Sequence, residues 1–125
     1  MRILLVDDSP STRNVFRQML QNMGHKDIAE AADGIDAARL LEQDTIDLVI
    51  SDWHIPNLDA SGLLRTLRSS GNQVPVLVVI SRAERCQALG ALQAGANSYI
   101  IKPFDQKTLS ERIQQAMANS TPPAT

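Results

Sequence analysis

Five short apolar runs constrain this chain most: residues 3–6, 28–31, 46–50, 74–80 and 99–101. They are rich in Ile, Val and Leu, and apart from the weak run at 28–31 they are apolar at most positions rather than at every second one. A strand with one face in water alternates apolar and polar residues. A strand covered on both faces does not, and cover on both faces is the usual condition of a parallel sheet. The stretches between the runs can supply that cover. Val15, Phe16, Met19, Leu20 and Met23 form one amphipathic stripe, ended by Gly24, which suits a helix C-terminus. Ile35, Ala38 and Leu41 form a second, and Leu63, Leu64 and Leu67 a third. Cys86, Leu89 and Leu92 form a fourth, and Leu109, Ile113 and Met117 a fifth. Strand and helix alternating in this order, with right-handed crossovers, predict an α/β fold: a doubly wound five-stranded parallel sheet flanked by five helices.

Composition narrows the function. At 125 residues the chain has the size of one domain, able to bury roughly two-thirds of its unfolded surface. It is 43% hydrophobic and 21% charged with a net charge of -2, and it has no basic block. Direct binding to nucleic acid or to an anionic membrane therefore has no electrostatic support. No stretch approaches the ~20 apolar residues of a membrane span, and the N-terminus lacks a signal-peptide layout. Cys86 stands alone, which excludes an internal disulfide; a lone thiol in a helical pattern reads as a small buried hydrophobe. A cytoplasmic setting is expected. Residues 1–118 read as the domain, and 119–125, "NSTPPAT", as a flexible tail or linker stub, leaving open a stand-alone protein or one fused to an output domain.

In open parallel sheets, sites lie beyond the carboxyl ends of the strands. Asp7 and Asp8 follow the first run, Asp52 the third, Ser81 the fourth and Lys102 the fifth. Each has an ordinary explanation alone: a helix cap around Asp8, Ser9 and Pro10, a turn residue, a second cap, a solvated lysine. Together they make one chemistry. Three carboxylates on one rim raise one another's pKa unless a cation joins them. Magnesium (or manganese) prefers such oxygen ligands, and magnesium keeps water and phosphate oxygens besides. An aspartate beside that ion can attack phosphorus, and ammonium and hydroxyl groups can hold the phosphoryl oxygens. Asp7 and Asp8 are then the metal holders, Asp52 the phosphoacceptor, and Ser81 and Lys102 the phosphoryl binders.

The segments "ILLVDDSP", "AADGIDA", "DLVISDWHIPNLDA", "PVLVVIS" and "AGANSYIIKPF", with a closing amphipathic helix, resemble in order and spacing the receiver domain of bacterial two-component response regulators, over residues 1 to 118. The resemblance implies a flavodoxin-like sheet of order 2-1-3-4-5, the order for which the chemotaxis receiver is itself a standard example. It implies that a sensor histidine kinase or phosphotransfer protein donates phosphate to Asp52, and that the protein is a signalling switch rather than an enzyme with its own substrate. It adds the backbone carbonyl of His54 to Asp8 and Asp52 as a metal ligand. It makes Tyr99 an aromatic that follows Ser81 on switching and the Lys102–Pro103 bond cis. It also implies an unknown downstream protein and a phosphorylation-dependent dimer as partners.

Some positions depart from the family pattern. Arg82 stands where a small residue is usual, and either lies in water or covers Asp52 and slows access; Ala83 and the His54 ring are further candidate modulators. Ala60 replaces a common glycine, which would strain a backbone needing positive φ. Trp53, the only tryptophan, is expected close enough to report metal binding. Two rival functions remain: a phosphorylation-independent interaction module on the same fold, and a hydrolase with an aspartate nucleophile. Haloacid-dehalogenase-like enzymes place a second Asp two residues after the nucleophile, where this chain has His54 or Ser9, so the hydrolase fits poorly.

Overall fold

The computed structural model describes residues 1–119. Of the expected tail, all but Asn119 lies outside the described residues. Strands β1 (Arg2–Val6), β2 (Asp27–Ala31), β3 (Leu48–Asp52), β4 (Val76–Ser81) and β5 (Ser98–Lys102) alternate with helices α1 (Pro10–Asn22), α2 (Gly34–Gln43), α3 (Ala60–Ser69), α4 (Ala88–Gln93) and α5 (Gln106–Ala118). All strand pairs are parallel, in the order β2-β1-β3-β4-β5. No helix among the described residues is long and apolar enough to cross a membrane.

Alternate residues along each central strand enter two separate cores. Leu4, Val6, Val49, Val78 and Ile80 pack with Leu41, Leu63, Leu64 and Leu67 of α2 and α3. Ile3, Leu5, Leu48, Ile50, Leu77 and Val79 pack with Phe16, Leu20, Leu109 and Ile113 of α1 and α5. Both faces of the sheet are thus buried, which is why these strands show no alternation. The weak run became β2, an edge strand with an intermediate burial pattern.

Three sequence expectations are corrected in detail. β3 and β4 start two residues later than their apolar runs. Pro75 has no N–H and enters only as an acceptor for Val49 N, while the Asp47 carboxylate binds Arg2 N at 2.7 Å. The fourth amphipathic stripe faces the wrong way: Arg82–Gln87 is a 3₁₀ segment, Cys86 is exposed, and Leu89 is 64% exposed. Ala88 and Ala91 are buried in their place. Two stripes of period three overlap in this segment, and the alanine stripe lets a short helix lie closer to the sheet. Val15 (52%), Ile35 (50%) and Met117 (36%), expected in the core, also keep exposed surface, while Ala37 of α2 and Ala116 of α5 are buried.

At the amino ends of β4 and β5 the Arg68 guanidinium acts as a clamp. It donates to Asn72 O and Val74 O (both 2.9 Å), to Gly95 O (2.8 and 3.2 Å) and to Asn97 Oδ1 (2.9 Å). Among the described residues it pairs with no carboxylate, so the half-buried cation rests on carbonyl dipoles, and desolvation lowers its pKa. Lysine cannot reproduce this planar fork. Arg68→Lys is expected to cost about 2 kcal/mol and lower the Tm by roughly 5–10 °C in a circular-dichroism melt.

Candidate functional site

Register carries the site residues to one rim. Ser81 pairs with Lys102 and Asp52 with Val79. Val6 pairs with Ser51, so Asp7 leaves the sheet beside Asp52. Asp7 N is held by Ala31 O, and its carboxylate curls back to accept from Ser9 N at 2.8 Å. That turn buries Asp7 to 5% exposure and frees Ser9 to cap α1 through Thr12 N, with Pro10 in the first turn. The capping explanation of "DDSP" therefore holds on Ser9 and Pro10, and the cap does not use the carboxylates of Asp7 and Asp8. Asp8 is exposed and makes no hydrogen bond or ion pair among the described residues.

The electrostatics are lopsided. Burial pushes the Asp7 carboxyl up from its ordinary value, and the charges of Asp52 and Asp8 push the same way. The Ser9 N–H and Lys102 oppose this only in part. Lys102 Nζ lies 3.5 Å from Asp52 Oδ2. Of the basic side chains of α1, Arg13 and Arg17 both pair with Glu30 of β2, and Arg13 Nη1 also donates to the Asp7 main-chain oxygen. A pocket with three carboxylates and one ammonium suits a divalent, oxygen-seeking ion. Among the described residues no group of three or more His, Cys, Asp or Glu side chains is placed to hold a metal ion.

Ser81 does not face the carboxylates as a free hydroxyl. Its Oγ donates to Glu84 Oε1 at 2.7 Å, and its N–H reaches the same oxygen at 3.2 Å, forming a capping box on the 3₁₀ segment. The Ser81 hydroxyl, foremost, holds the Glu84 carboxyl below its usual range. The other Glu84 oxygen contacts the His54 ring, and Trp53 Nε1 donates to Gln87 Oε1. Two side-chain links thus join the segment after β3 to the segment after β4. Arg82 and Ala83 are exposed; Arg82 makes no hydrogen bond or ion pair among the described residues, which places it in solvent. Half-buried Tyr99 lies under the Arg112 guanidinium, 5.1 Å from the ring centre. The Lys102–Pro103 peptide is cis.

The loop carrying Trp53 and His54 is braced by α2. Asp33 accepts from Asn57 Nδ2 at 2.7 Å while capping α2 through Asp36 N, and Gly34 N reaches Pro56 O. A Cβ on Gly34 would sit 1.7 Å from Leu58 O, so this "DG" pair requires glycine. Positive φ in the loop falls on Asn57 (71°), not on Ala60, which opens α3 behind the Asp59 cap. The strain expected at Ala60 is absent. Sequence reasoning missed Glu84 and Gln87, although Ser81-x-x-Glu84 has capping-box spacing.

With this geometry in place, a family model for the response regulator receiver domain matches residues 3–114. The chain is a member of that family. It is similar to chemotaxis protein CheY of Pseudomonas aeruginosa, with 37% identity over 92% of this chain and 94% of that one. It is also similar to CheY-3 of Vibrio cholerae serotype O1, with 36% identity over 92% and 90%. Among solved structures it resembles the receiver domain of a sensor histidine kinase of P. aeruginosa PAO1, which has a magnesium ion coordinated in its active site cleft (TM-score 0.82, 33% identity, 94% and 97% covered). The receiver is thus CheY-like in sequence and flavodoxin-like in fold.

Because Asp7 binds its proton more tightly folded than unfolded, its contribution to stability is largest below the ordinary carboxylate range and is lost as pH rises through its raised value. At neutral pH without metal, Asp7→Asn is expected to raise the Tm by a few degrees. It should also abolish most of the further rise that magnesium gives the unsubstituted protein in the same melt.

Proposed function

We propose that this receiver is a phosphorylation-controlled switch whose phosphoacceptor is Asp52. The observation that carries the reading is the grouping of buried Asp7, Asp52 and Lys102 on one rim, with Lys102 Nζ 3.5 Å from the Asp52 carboxylate. A carboxylate oxygen of Asp52 attacks phosphorus of a phosphohistidine on a sensor kinase or phosphotransfer protein. The N–P bond breaks, an O–P bond forms, and the electron pair returns to the imidazole. Lys102 stays beside the acceptor and neutralises the arriving oxygens. Asp8, Asp52 and the His54 carbonyl would hold magnesium, with Asp7 beside them; when bound, the ion supplies charge neutralisation at the transferring phosphoryl group. Hydrolysis of the acyl phosphate later resets Asp52, so the protein turns over no substrate but its own phosphoryl group.

Two surfaces support partner exchange. A cavity of about 280 Å³ beside Lys102 is lined by Val15, Phe16 and Met19 of α1 and by Phe104, and gives a donor protein an apolar seat next to the acceptor. Leu89 and Leu92 of α4 are exposed, an apolar surface suited to a downstream protein or a second copy. An aspartyl phosphate brings about two negative charges to the rim and draws Ser81 and Lys102 toward it.

Incubation with acetyl phosphate and magnesium, followed by intact mass, tests the reading. The unsubstituted protein should gain one phosphoryl group and Asp52→Asn none. A protein that gains nothing with Asp52 intact is a phosphorylation-independent interaction module instead.

A further inference from the structure

We propose that Glu84 is a positioning residue that holds the Ser81 hydroxyl in the resting state and competes with the phosphoryl group for its proton. The inference rests on the phosphoacceptor role of Asp52 and adds a residue to it. A serine hydroxyl has one proton to donate. In this structure that proton goes to Glu84 Oε1 at 2.7 Å, reinforced by the Ser81 N–H on the same oxygen. A phosphoryl group on Asp52 can recruit the hydroxyl only by taking it from this carboxylate.

The holding residue is itself held. Glu84 lies in the 3₁₀ segment that starts directly after Ser81, and its second oxygen contacts the His54 ring, two residues past Asp52. One rung further on, Gln87 accepts from Trp53 Nε1. Glu84 therefore couples the exit of β3, where phosphate arrives, to the exit of β4, where the switch residue sits. Release of Ser81 leaves a charged acceptor short of one donor, a cost paid only in the phosphorylated state. That cost biases the two-state equilibrium toward rest. By the same reasoning, removing the acceptor favours the phosphorylated arrangement by about the tenfold that one charge-assisted hydrogen bond is worth.

The test uses beryllofluoride with saturating magnesium as the phosphoryl surrogate, with half-saturation read from Trp53 fluorescence. Glu84→Ala is expected to lower the half-saturating beryllofluoride concentration about tenfold. Glu84→Gln keeps an oxygen acceptor for Ser81 and should shift it by about threefold at most. In a Ser81→Ala background both substitutions should shift it less than twofold, because the contested proton is gone. A purely structural cap would lower the Tm of the Glu84 variants without tightening the surrogate, which overturns the proposal. An equal shift in the Ser81→Ala background, or an equal shift for Gln and Ala, assigns the effect to charge repulsion and also overturns it. Failure of the unsubstituted protein to bind beryllofluoride at all would instead remove the phosphoacceptor reading itself.

Discussion

A carboxylate buried to 5% exposure beside two others, with a single ammonium within reach of one of them, is the constraint around which the rest of this molecule is arranged. Water is a cheap home for such charges and the end of a sheet is not. The Ser9 N–H offsets part of the cost to Asp7, and Lys102 a further part. Neither supplies the two positive charges that would make the group comfortable. On the proposed function, a divalent ion would relieve this cost, and the phosphoryl group is the anion for which these donors are suited.

Holding such a site open requires a stiff frame, and the frame is visible in particular contacts. Strand pairing puts Ser81 opposite Lys102 and Asp52 opposite Val79. Apolar cover on both faces excludes register slips, because every strand residue is wanted on its own side. Arg68 ties the opposite ends of β4 and β5 through five donors. Asp33 and Gly34 brace the loop that carries His54. The segment from Ser81 to Gln87 is different: it is held by side-chain contacts rather than by a core, and none of its six 3₁₀ residues is buried.

Most of the architecture was legible because full burial leaves its mark on every residue of a strand. Runs such as "ILLV" and "VLVVI" admit little else, and the chemistry of a parallel sheet's rim follows from what comes next in sequence. Legibility failed where two patterns of the same period competed. Around α4, Leu89 and Leu92 outweigh Ala88 and Ala91 on any hydrophobicity scale, yet the distance from helix to sheet favours the alanines. Cys86 was misread with them. The site acids, Ser81 and Lys102 were legible as types at strand ends. Their resting partners were not: that Ser81 is bound to Glu84, or that Gly34 touches Leu58, depends on the approach of segments separate in sequence or on a choice between two acceptors.

The central claim is that a divalent ion makes the crowded rim tolerable and arms Asp52 toward phosphorus. A crystal of this protein soaked in magnesium and beryllofluoride tests it most directly. The account predicts the ion bound by Asp8, Asp52 and the His54 carbonyl, with Asp7 alongside, and beryllofluoride on Asp52 in contact with Lys102 and with a Ser81 hydroxyl that has left Glu84. An empty pocket, with Asp8 and Asp52 turned apart into solvent, would contradict it.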